Sequence, residues 1–349
     1  MYILCIGDPH FRVDNVDETL HFINSLESYI SNNPYIDIII VLGDILHTHE
    51  KIHTVPLNNA VKLFKMLTSF SKIKTFTLVG NHDATSNTIF LTDNHWMNFL
   101  KDWENITVVD TPIKHYINSK EFITLCPYVP DGRFVEALNR INDWKDSSVI
   151  FGHQLLDGAK MGMIVANGVE KWLDEYPLLI SGHIHDAQEV QKNYINVGSS
   201  LQHSYAESGS KRLLLLNVNE KVKMEDIYLD IKRKKIIYAT INELEDISNK
   251  IKENTDNIEY VISLKGNSDD FKTLKKTDKY KDILNMENIK NIKFKSERVT
   301  SNEKDFISDD FSEHLNYSIY SSNDPYLISL YEHILLGKED LSMEDIIEI

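Results

Sequence analysis

Cysteine is scarce in this chain, which has only two in 349 residues, Cys5 and Cys126. So few thiols exclude a disulfide framework and a zinc site built on thiolate ligands. Each cysteine lies in a short apolar stretch, so we expect both to be buried in the core.

Long apolar runs are also lacking, and none would span a bilayer. A strand-like segment begins at the first residues, where a secretory signal would otherwise lie. The sequence therefore predicts a cytoplasmic protein that has no membrane partner. Frequent Asn, Ile and Lys are typical of an AT-rich genome, and a bacteriophage or another virus would be a suitable source.

Basic residues are in deficit, with 37 Lys and Arg against 53 Asp and Glu, a net charge of -16. The charge is unevenly distributed: residues 1–230 carry -10, residues 231–298 carry +4 and residues 299–349 carry -10. The basic segment begins with Lys232, Arg233, Lys234 and Lys235. These four side chains form either an ordinary solvated face or, if the rest of the chain is a nuclease, a DNA-binding surface.

Short apolar runs that each end in glycine alternate with helical patterns in the first part of the chain. The runs cover residues 2–7, 35–43, 75–80, 147–152 and 178–182, and helical spacing covers 16–30 and 57–70. This β-α alternation predicts an α/β domain with functional residues at the strand ends. We assign it to residues 1–230, with residues 213–218 as its last strand.

The composition changes after residue 230 and predicts two further regions. Residues 231–298 show a β-α-β pattern followed by a Lys-rich helix around 270–284, which indicates a small separate domain. Residues 299–349 form an acidic tail, and its helical stripe begins at Asp324-Pro325. The apolar face of that stripe consists of Leu327, Leu330, Tyr331 and Ile334. This face either packs on the chain's own core or binds a partner protein.

Five short polar motifs follow the apolar runs. They are Gly7-Asp8-Pro9-His10, Gly43-Asp44, Gly80-Asn81-His82-Asp83, Gly152-His153 and Gly182-His183-Ile184-His185. Oxygen and imidazole ligands without thiolate suit Mn²⁺, Fe or Zn²⁺. A carboxylate that bridges two cations about 3.5–4 Å apart would be needed for a dinuclear site, and Asp44 is the candidate. In extended backbone, Asp8 and His10 would face the same way, as would His183 and His185.

The order of these motifs resembles that of the calcineurin-like metallophosphoesterase superfamily. The resemblance implies an α/β fold, a two-sheet β-sandwich flanked by helices, here with a small α+β capping domain and a C-terminal helical tail. It also implies two divalent cations, with Mn²⁺ expected. One would be held by Asp8, His10, Asp44 and His185, and the other by Asp44, Asn81, His153 and His183. His82 would act on the scissile phosphate instead of binding metal.

Three local features resemble the SbcD/Mre-type DNA repair nucleases, which include recombination endonuclease subunits of large bacteriophages. Asp44 is followed by Ile45-Leu46-His47, without the acidic residue and Arg-Gly pair that the protein phosphatases carry soon after this aspartate, and the third motif ends in Asp83 instead of glutamate. Residues 126–130 and the glycine-serine loop at 196–207 are similar to segments of the nucleases. The resemblance implies an exonuclease or endonuclease acting on double-stranded ends and single strands, with an SbcC/Rad-type ATPase as partner. It leaves open whether the chain forms a homodimer.

Two alternatives share the same motifs. A hydrolase of cyclic nucleotides or other small phosphoesters would keep the ligands but would not need the basic 231–298 segment. A non-catalytic scaffold for an ATPase would tolerate lost ligands, yet every expected ligand position is filled.

The sequence gives weaker expectations for the remaining histidines and for the segment between His153 and His183. His47 matches a family position near the substrate strand, whereas His49 and His53 are expected at the surface. His203 and five other histidines receive no role. The segment between His153 and His183 resembles no known functional element, and we interpret it as a plain loop in preference to part of the substrate path.

Overall fold

The computed structural model describes residues 1–49, 51–162, 164–205, 207, 210–219, 222–253, 257–296 and 319. Met1–Ser296 forms one compact unit. The predicted partner-binding residues Leu327, Leu330, Tyr331 and Ile334 lie outside the described residues.

The strands and helices follow one another closely along this unit. The strands are β1 (Tyr2–Ile6), β2 (Ile38–Val41), β3 (Lys74–Leu78), β4 (Ile106–Val109), β5 (Ile113–Tyr116), β6 (Phe122–Leu125), β7 (Ile150–His153), β8 (Lys160–Met161), β9 (Ile164–Val165), β10 (Leu179–Gly182), β11 (Gln188–Gln191), β12 (Tyr194–Asn196), β13 (Leu213–Val218), β14 (Val222–Ile227), β15 (Arg233–Thr240), β16 (Ile258–Gly266) and β17 (Ile289–Ser296). The α-helices are α1 (Val16–Asn32), α2 (Thr54–Ser69), α3 (Phe134–Leu138), α4 (Leu244–Glu253), α5 (Ser268–Leu274) and α6 (Asp278–Leu284).

Two six-stranded sheets form a sandwich, as the sequence predicts. The first has the order β14-β13-β1-β2-β3-β4 and the second β11-β12-β10-β7-β6-β5. Side chains of both sheets share one buried cluster, in which Cys5 and Ile40 of the first sheet pack with Phe151 and Ile180 of the second. Cys126 is buried too, so both thiols are in the core as expected.

Helices α1 and α2 cover the outer face of the first sheet. On α1, Phe22, Leu26 and Ile30 recur at four-residue intervals and are buried. Leu63 and Leu67 of α2 join them in the same cluster. Burying this apolar stripe stabilises the helices far more than their intrinsic propensity does, and it fixes the sheet between two apolar layers.

The strand order brings the polar motifs to one edge of the sandwich. Strands β1, β2 and β3 are parallel neighbours in the first sheet, and β7 and β10 are parallel neighbours in the second. The carboxyl ends of parallel neighbours lie at the same edge of a sheet. Because every motif lies at one of these ends or just after it, the fold gathers motifs that are more than 170 residues apart.

Residues 233–296 form a smaller parallel sheet, β15-β16-β17, with its own buried cluster. The single helix expected around 270–284 is instead two helices, α5 and α6. The side chain of Thr277 accepts the Tyr280 N–H and caps α6, which ends one helix and starts the next. Strand β17 was not among the predicted elements, because its alternating lysines interrupt the apolar run that marks the predicted strands.

The small sheet is attached to the sandwich by polar contacts. Lys234 Nζ pairs with Glu18 Oε2 at 2.8 Å. The side chain of Gln202 accepts the Lys234 N–H at 2.7 Å and donates to the Lys234 carbonyl at 2.8 Å. The first strand of the small sheet is therefore held against both α1 and the loop that follows β12.

The prediction that residues 213–218 form the last strand of the sandwich is wrong. Strand β14 follows it and pairs antiparallel with β13 at the edge of the first sheet. Its central residues are exposed, so it lacks the apolar run that marks the buried strands. Within the described part of the chain, no helix combines the length and apolar character needed to cross a membrane.

Candidate metal centre

The backbone of the motifs is tightly turned, which corrects the expectation of extended Asp-x-His and His-x-His pairs. The φ angles of Asp8, His10, Asp44 and His183 are +37°, +43°, +51° and +83°. Non-glycine residues seldom adopt this left-handed region, and such strain clusters at functional sites. The turns, not strand alternation, therefore direct these side chains.

Glycines before Asp44 and Asn81 allow two loops to touch. A Cβ on Gly43 would lie 2.7 Å from His153 Nδ1, and one on Gly80 would lie 2.2 Å from Asp44 Oδ1. Gly43 also has a φ of +105°, which favours glycine strongly. The approach of the loops places Asp44 between the two halves of the site.

Asp83 links these two loops by hydrogen bonds. Its buried carboxylate accepts N–H bonds from Ile45 at 3.1 Å, from Gly80 at 3.1 Å and from the Trp96 indole at 2.8 Å. Burial and the neighbouring Asp44 carboxylate raise the pKa of Asp83 to about 7, although its N–H donors favour the ionised form. Asp83 thus fixes the geometry of the two loops through hydrogen bonds.

One half of the site consists of Asp8, His10 and Asp44, whose ligand atoms lie within 4.8 Å of one another. Asp8 Oδ1 accepts the His183 N–H at 2.8 Å. Its other oxygen, Oδ2, is buried and has no hydrogen-bond partner among the described residues. His10 Nε2 lies 3.4 Å from Asp44 Oδ2 and 3.1 Å from His185 Nε2.

The other half consists of Asp44, Asn81, His153 and His183. His153 Nε2 lies 3.3 Å from Asp44 Oδ2 and 3.0 Å from Asn81 Oδ1. His183 Nδ1 lies 2.8 Å from the same Asn81 oxygen. Asp44 is the residue shared by the two halves, which is the position that a bridging carboxylate requires.

These residues suit cations because their oxygen and nitrogen lone pairs face one another instead of facing hydrogen-bond donors. His153 Nδ1–H donates to the Leu42 carbonyl at 2.7 Å, so Nε2 is the ring nitrogen that faces the Asp44 and Asn81 oxygens, and without a proton it presents a lone pair to them. Burial alone would lower the pKa of His153, but the charge of Asp44 raises it to about 9. A proton or a metal ion must therefore lie between these atoms. The orphaned Asp8 Oδ2 is a further position that a cation would satisfy.

His185 is supported by a residue that the sequence analysis did not select. Glu207 Oε1 lies 3.6 Å from His185 Nδ1, and Glu207 Oε2 pairs with Lys211 at 2.8 Å. Burial opposes ionisation of Glu207, but its contacts with His185 and Lys211 lower its pKa to about 2. A carboxylate on one ring nitrogen orients the other nitrogen toward a metal.

His203, which was given no role, is part of the site. Its Nε2–H donates to the Asp8 carbonyl at 3.0 Å, and its ring lies 4.9 Å from that of His10 and 4.8 Å from that of His185. Its Nδ1 is buried without a hydrogen-bond partner among the described residues. The glycine-serine loop was the available signal, because it carries both His203 and Glu207.

His82 lies beside the two halves and is held by both neighbouring loops. Its backbone N–H donates to Asp44 Oδ1 at 2.8 Å, and its Nδ1–H donates to the His47 carbonyl at 2.6 Å. Nε2 is therefore the ring nitrogen that exchanges a proton. Burial lowers the pKa of His82, so this nitrogen favours the unprotonated form.

His47 and His49 both lie against the imidazole ring of His82. The His47 ring stacks on His82 at 5.5 Å, and its Nδ1 lies 3.3 Å from His10 Nδ1. The expectation that His49 is a surface residue is wrong, because it is partly buried and stacks on His82 at 4.2 Å. His53 is exposed as expected.

Residues 1–187 match the calcineurin-like phosphoesterase family, more than half of the chain. The chain belongs to the calcineurin-like phosphoesterases. It is a phosphoester hydrolase, and its His and Asp clusters suit the divalent metals used by the family.

Two relatives extend the similarity beyond the family match. "Putative phosphoesterase 078R" of invertebrate iridescent virus 3 is 39% identical over 286 residues, which is 81% of this chain and 81% of that protein. "Putative phosphoesterase 244L" of invertebrate iridescent virus 6 is 41% identical over 282 residues, or 78% of this chain and 97% of that protein. Both are viral, which agrees with the viral source considered from composition.

Two clefts flank the metal centre of this phosphoesterase. One, of about 310 Å³, is lined by residues that include Arg12, His47 and His53. The other, of about 490 Å³, is lined by Met161, Gly162, His183, His185 and Glu207, among others. His183 and His185, two of the candidate ligands, are thus reachable from the surface through the second cleft.

The candidate DNA-binding residues at the start of the small sheet are not equivalent. Arg233 and Lys235 are exposed and Lys232 is partly exposed, whereas Lys234 is buried and paired with Glu18. Lys232 and Arg233 line a cleft of about 270 Å³ that also contains Lys211 and Gln202. The basic surface available to a polyanion therefore excludes Lys234.

Proposed function

We propose that this phosphoesterase is a metal-dependent DNA nuclease, similar in role to the SbcD/Mre-type nucleases. The observation that carries the proposal is the basic strand β15, held firmly against the catalytic domain. Lys232 and Arg233 line the cleft where the small sheet meets the sandwich, close to Lys211. A hydrolase of small phosphoesters has no use for such an attached basic element.

The cations would be held by seven residues. One would be bound by Asp8, His10, Asp44 and His185, and the other by Asp44, Asn81, His153 and His183. When bound, two divalent cations neutralise phosphate charge and lower the pKa of water, which supplies a nucleophile at neutral pH. We propose Mn²⁺ as the working ion, since oxygen and imidazole ligands suit it.

The chain's own contribution to the reaction centres on His82. Its Nδ1–H is fixed by the His47 carbonyl at 2.6 Å, so its ring cannot rotate freely and Nε2 keeps one direction. The negative charge of an approaching phosphodiester would raise the pKa of this imidazole. Nε2 would then carry a proton that it donates to the leaving oxygen. His47, stacked on His82, would line the path of the substrate strand.

An ATPase partner of the SbcC/Rad type is the second element of the proposal. The acidic tail and its apolar stripe support it, because an amphipathic helix can fill a groove on a partner. Such a partner would couple ATP hydrolysis to the presentation of DNA ends.

The proposal is tested by incubating the purified protein with end-labelled duplex and single-stranded DNA, with Mn²⁺ or with a chelator. We expect Mn²⁺-dependent shortening or internal cleavage of the DNA, abolished by chelator. Hydrolysis of a small phosphodiester without any DNA cleavage would instead support the alternative, a small-substrate phosphodiesterase of the same family.

A further inference from the structure

Strands β8 and β9 form a small hairpin in the segment that sequence analysis interpreted as a plain loop. Its base is well anchored. The Ala166 carbonyl accepts the Gly158 N–H at 2.8 Å, and the Ala166 N–H donates to the Ala159 carbonyl at 2.8 Å. Ala159 and Ala166 are both buried. The hairpin is therefore a defined arm and not an irregular connection.

A second pair of bonds fixes the arm beside the metal-ligand motif. The side chain of Gln188 accepts the Lys160 N–H at 2.9 Å and donates to the Lys160 carbonyl at 2.8 Å. Gln188 begins β11, three residues after His185. The arm is thus attached to the segment that carries two of the proposed ligands.

The outer part of the hairpin exposes apolar side chains to solvent. Met161 is 43% exposed, Ile164 66% and Val165 40%. Met161 and Ile164 are cross-strand partners and lie on one face of the hairpin, whereas Val165 pairs with Lys160 and lies on the other face. The exposed Met161–Ile164 pair is an apolar surface that a ligand could cover. Met161 also lines the 490 Å³ cleft together with His183 and His185, so this surface is continuous with the metal centre.

We propose that this hairpin is a substrate-positioning element, whose apolar surface packs against a nucleobase of the strand that is cut. The inference rests on the proposed nuclease function. Every base has an apolar face that stacks or packs without regard to sequence, and a base next to the scissile phosphate would enter the same cleft. Continuity with the metal centre favours the substrate over a protein partner, which would have no need to reach the ligand histidines.

The test compares Met161→Ser and Ile164→Ser with the matched control Met224→Ser. Met224 is 45% exposed, close to Met161 in exposure, but lies on the edge strand β14. We expect each hairpin variant to raise KM for single-stranded DNA about ten-fold, the scale of losing one base contact. Met161→Leu should restore the wild-type value, and Met224→Ser should not change it.

Two further substrates separate base packing from other roles. Hydrolysis of methyl 4-nitrophenyl phosphate, which has no base, should be the same in wild type and hairpin variants. On an oligonucleotide that is abasic around the cut, the difference between wild type and variants should disappear.

The assays on DNA and on the small diester separate failure of the proposed nuclease function from failure of the hairpin proposal. If the wild type does not cut DNA, the proposed function falls and the hairpin inference falls with it. If the wild type cuts DNA and the hairpin variants cut it equally well, only the inference is overturned. Equal losses on the small diester would make the hairpin a structural support of the metal centre. A changed oligomeric state in light scattering would make it a contact between copies, and either result overturns base packing.

Discussion

At the scale of single residues, the centre is built from acceptors that oppose one another. The Asp44 carboxylate faces His10 Nε2 at 3.4 Å and His153 Nε2 at 3.3 Å, and Asn81 Oδ1 faces two histidines. Such an arrangement is costly unless a positive charge lies within it. Residues around this centre therefore divide into those that would touch the cations, one that would act on the phosphate, and those that hold the others in place.

His82→Ala should retain both metals and lose about 10²–10⁴-fold in kcat, the usual scale of general acid-base help. Metal is retained because the bond from His82 to Asp44 Oδ1 comes from the backbone N–H, which alanine keeps. Metal content by mass spectrometry and turnover of a small phosphodiester give the two readouts. Loss of metal in step with activity would show that His82 is a ligand.

Glu207→Gln should weaken metal binding or activity about 10–100-fold, the typical effect of losing a residue that orients a metal-bound histidine. The amide keeps the shape of Glu207 but removes the negative charge beside His185 Nδ1. Metal titration by calorimetry measures the change, with Glu207→Asp as a partial rescue. The exposed Glu104→Gln is the control. An unchanged affinity would mean that His185 needs no orienting carboxylate.

Asp83→Asn should lower the free energy of unfolding by about 1–3 kcal/mol, since it leaves buried N–H donors facing an amide NH₂ group. Denaturation in chelator measures this change without a contribution from bound metal. Metal affinity should fall as well, because Asp83 links the backbone at Ile45 to Gly80. The exposed Asp93→Asn serves as a control. Equal stability of the two variants would contradict the linking role.

At the scale of elements, the ends of the parallel strands determine where the candidate metal centre lies, and the contact between β15 and α1 determines where the small sheet lies. Three parallel strands of one sheet and two of the other end at the same edge, and every proposed ligand lies either at the last residue of such a strand, as His153 does, or on the loop that follows it. The small sheet is a separate layer with its own core. Its position depends on polar contacts, because strand β15 meets α1 through Lys234 and Glu18.

Lys234→Met should destabilise the protein by on the order of 3 kcal/mol, because it leaves Glu18 with an unpaired, partly buried charge. Lys235→Met should leave stability unchanged but weaken DNA binding, since Lys235 is exposed. Its log-log salt slope should fall by about 0.9 for one lost phosphate contact on duplex DNA. Thermal unfolding and fluorescence anisotropy measure the two effects. Combining Lys234→Met with Glu18→Gln should recover part of the lost stability.

At the scale of the whole molecule, the acidic net charge is the feature that the proposed action on DNA must accommodate. The net charge is -16, yet residues 231–298 carry +4. The acidic residues of 299–349 would repel DNA, so a basic protein surface is the more suitable partner for the tail. Charge thus separates two proposed interactions along the chain, DNA at the small sheet and an ATPase at the tail.

Truncation after Ser322 should leave a folded protein that keeps the proposed metal-dependent nuclease activity and no longer copurifies with the proposed ATPase partner. This outcome is expected because the proposed catalytic and metal-binding residues lie within the compact unit Met1–Ser296. Calorimetry, nuclease assays and affinity copurification measure the three properties. A sharp drop in melting temperature would instead assign the apolar stripe of 324–336 to the chain's own core.

Local patterning was enough to predict the parts of the fold that bury apolar surface. The five glycine-terminated runs correspond to β1, β2, β3, β7 and β10, and the two helical patterns correspond to α1 and α2. Exposed elements gave weaker signals. Strand β14 and the β8–β9 hairpin carry no buried apolar run, and the break between α5 and α6 depends on one capping hydroxyl at Thr277.

The sequence by itself determined the family, the candidate ligands and the strands that carry them, because each motif is a local pattern of residue types. Only the tertiary structure decided which other side chains join them. His203 and Glu207 reach His10 and His185 through a loop, His49 stacks on His82, and Lys234 turns inward to Glu18. These contacts depend on backbone turns and on chain segments far apart in sequence, and no local periodicity encodes them.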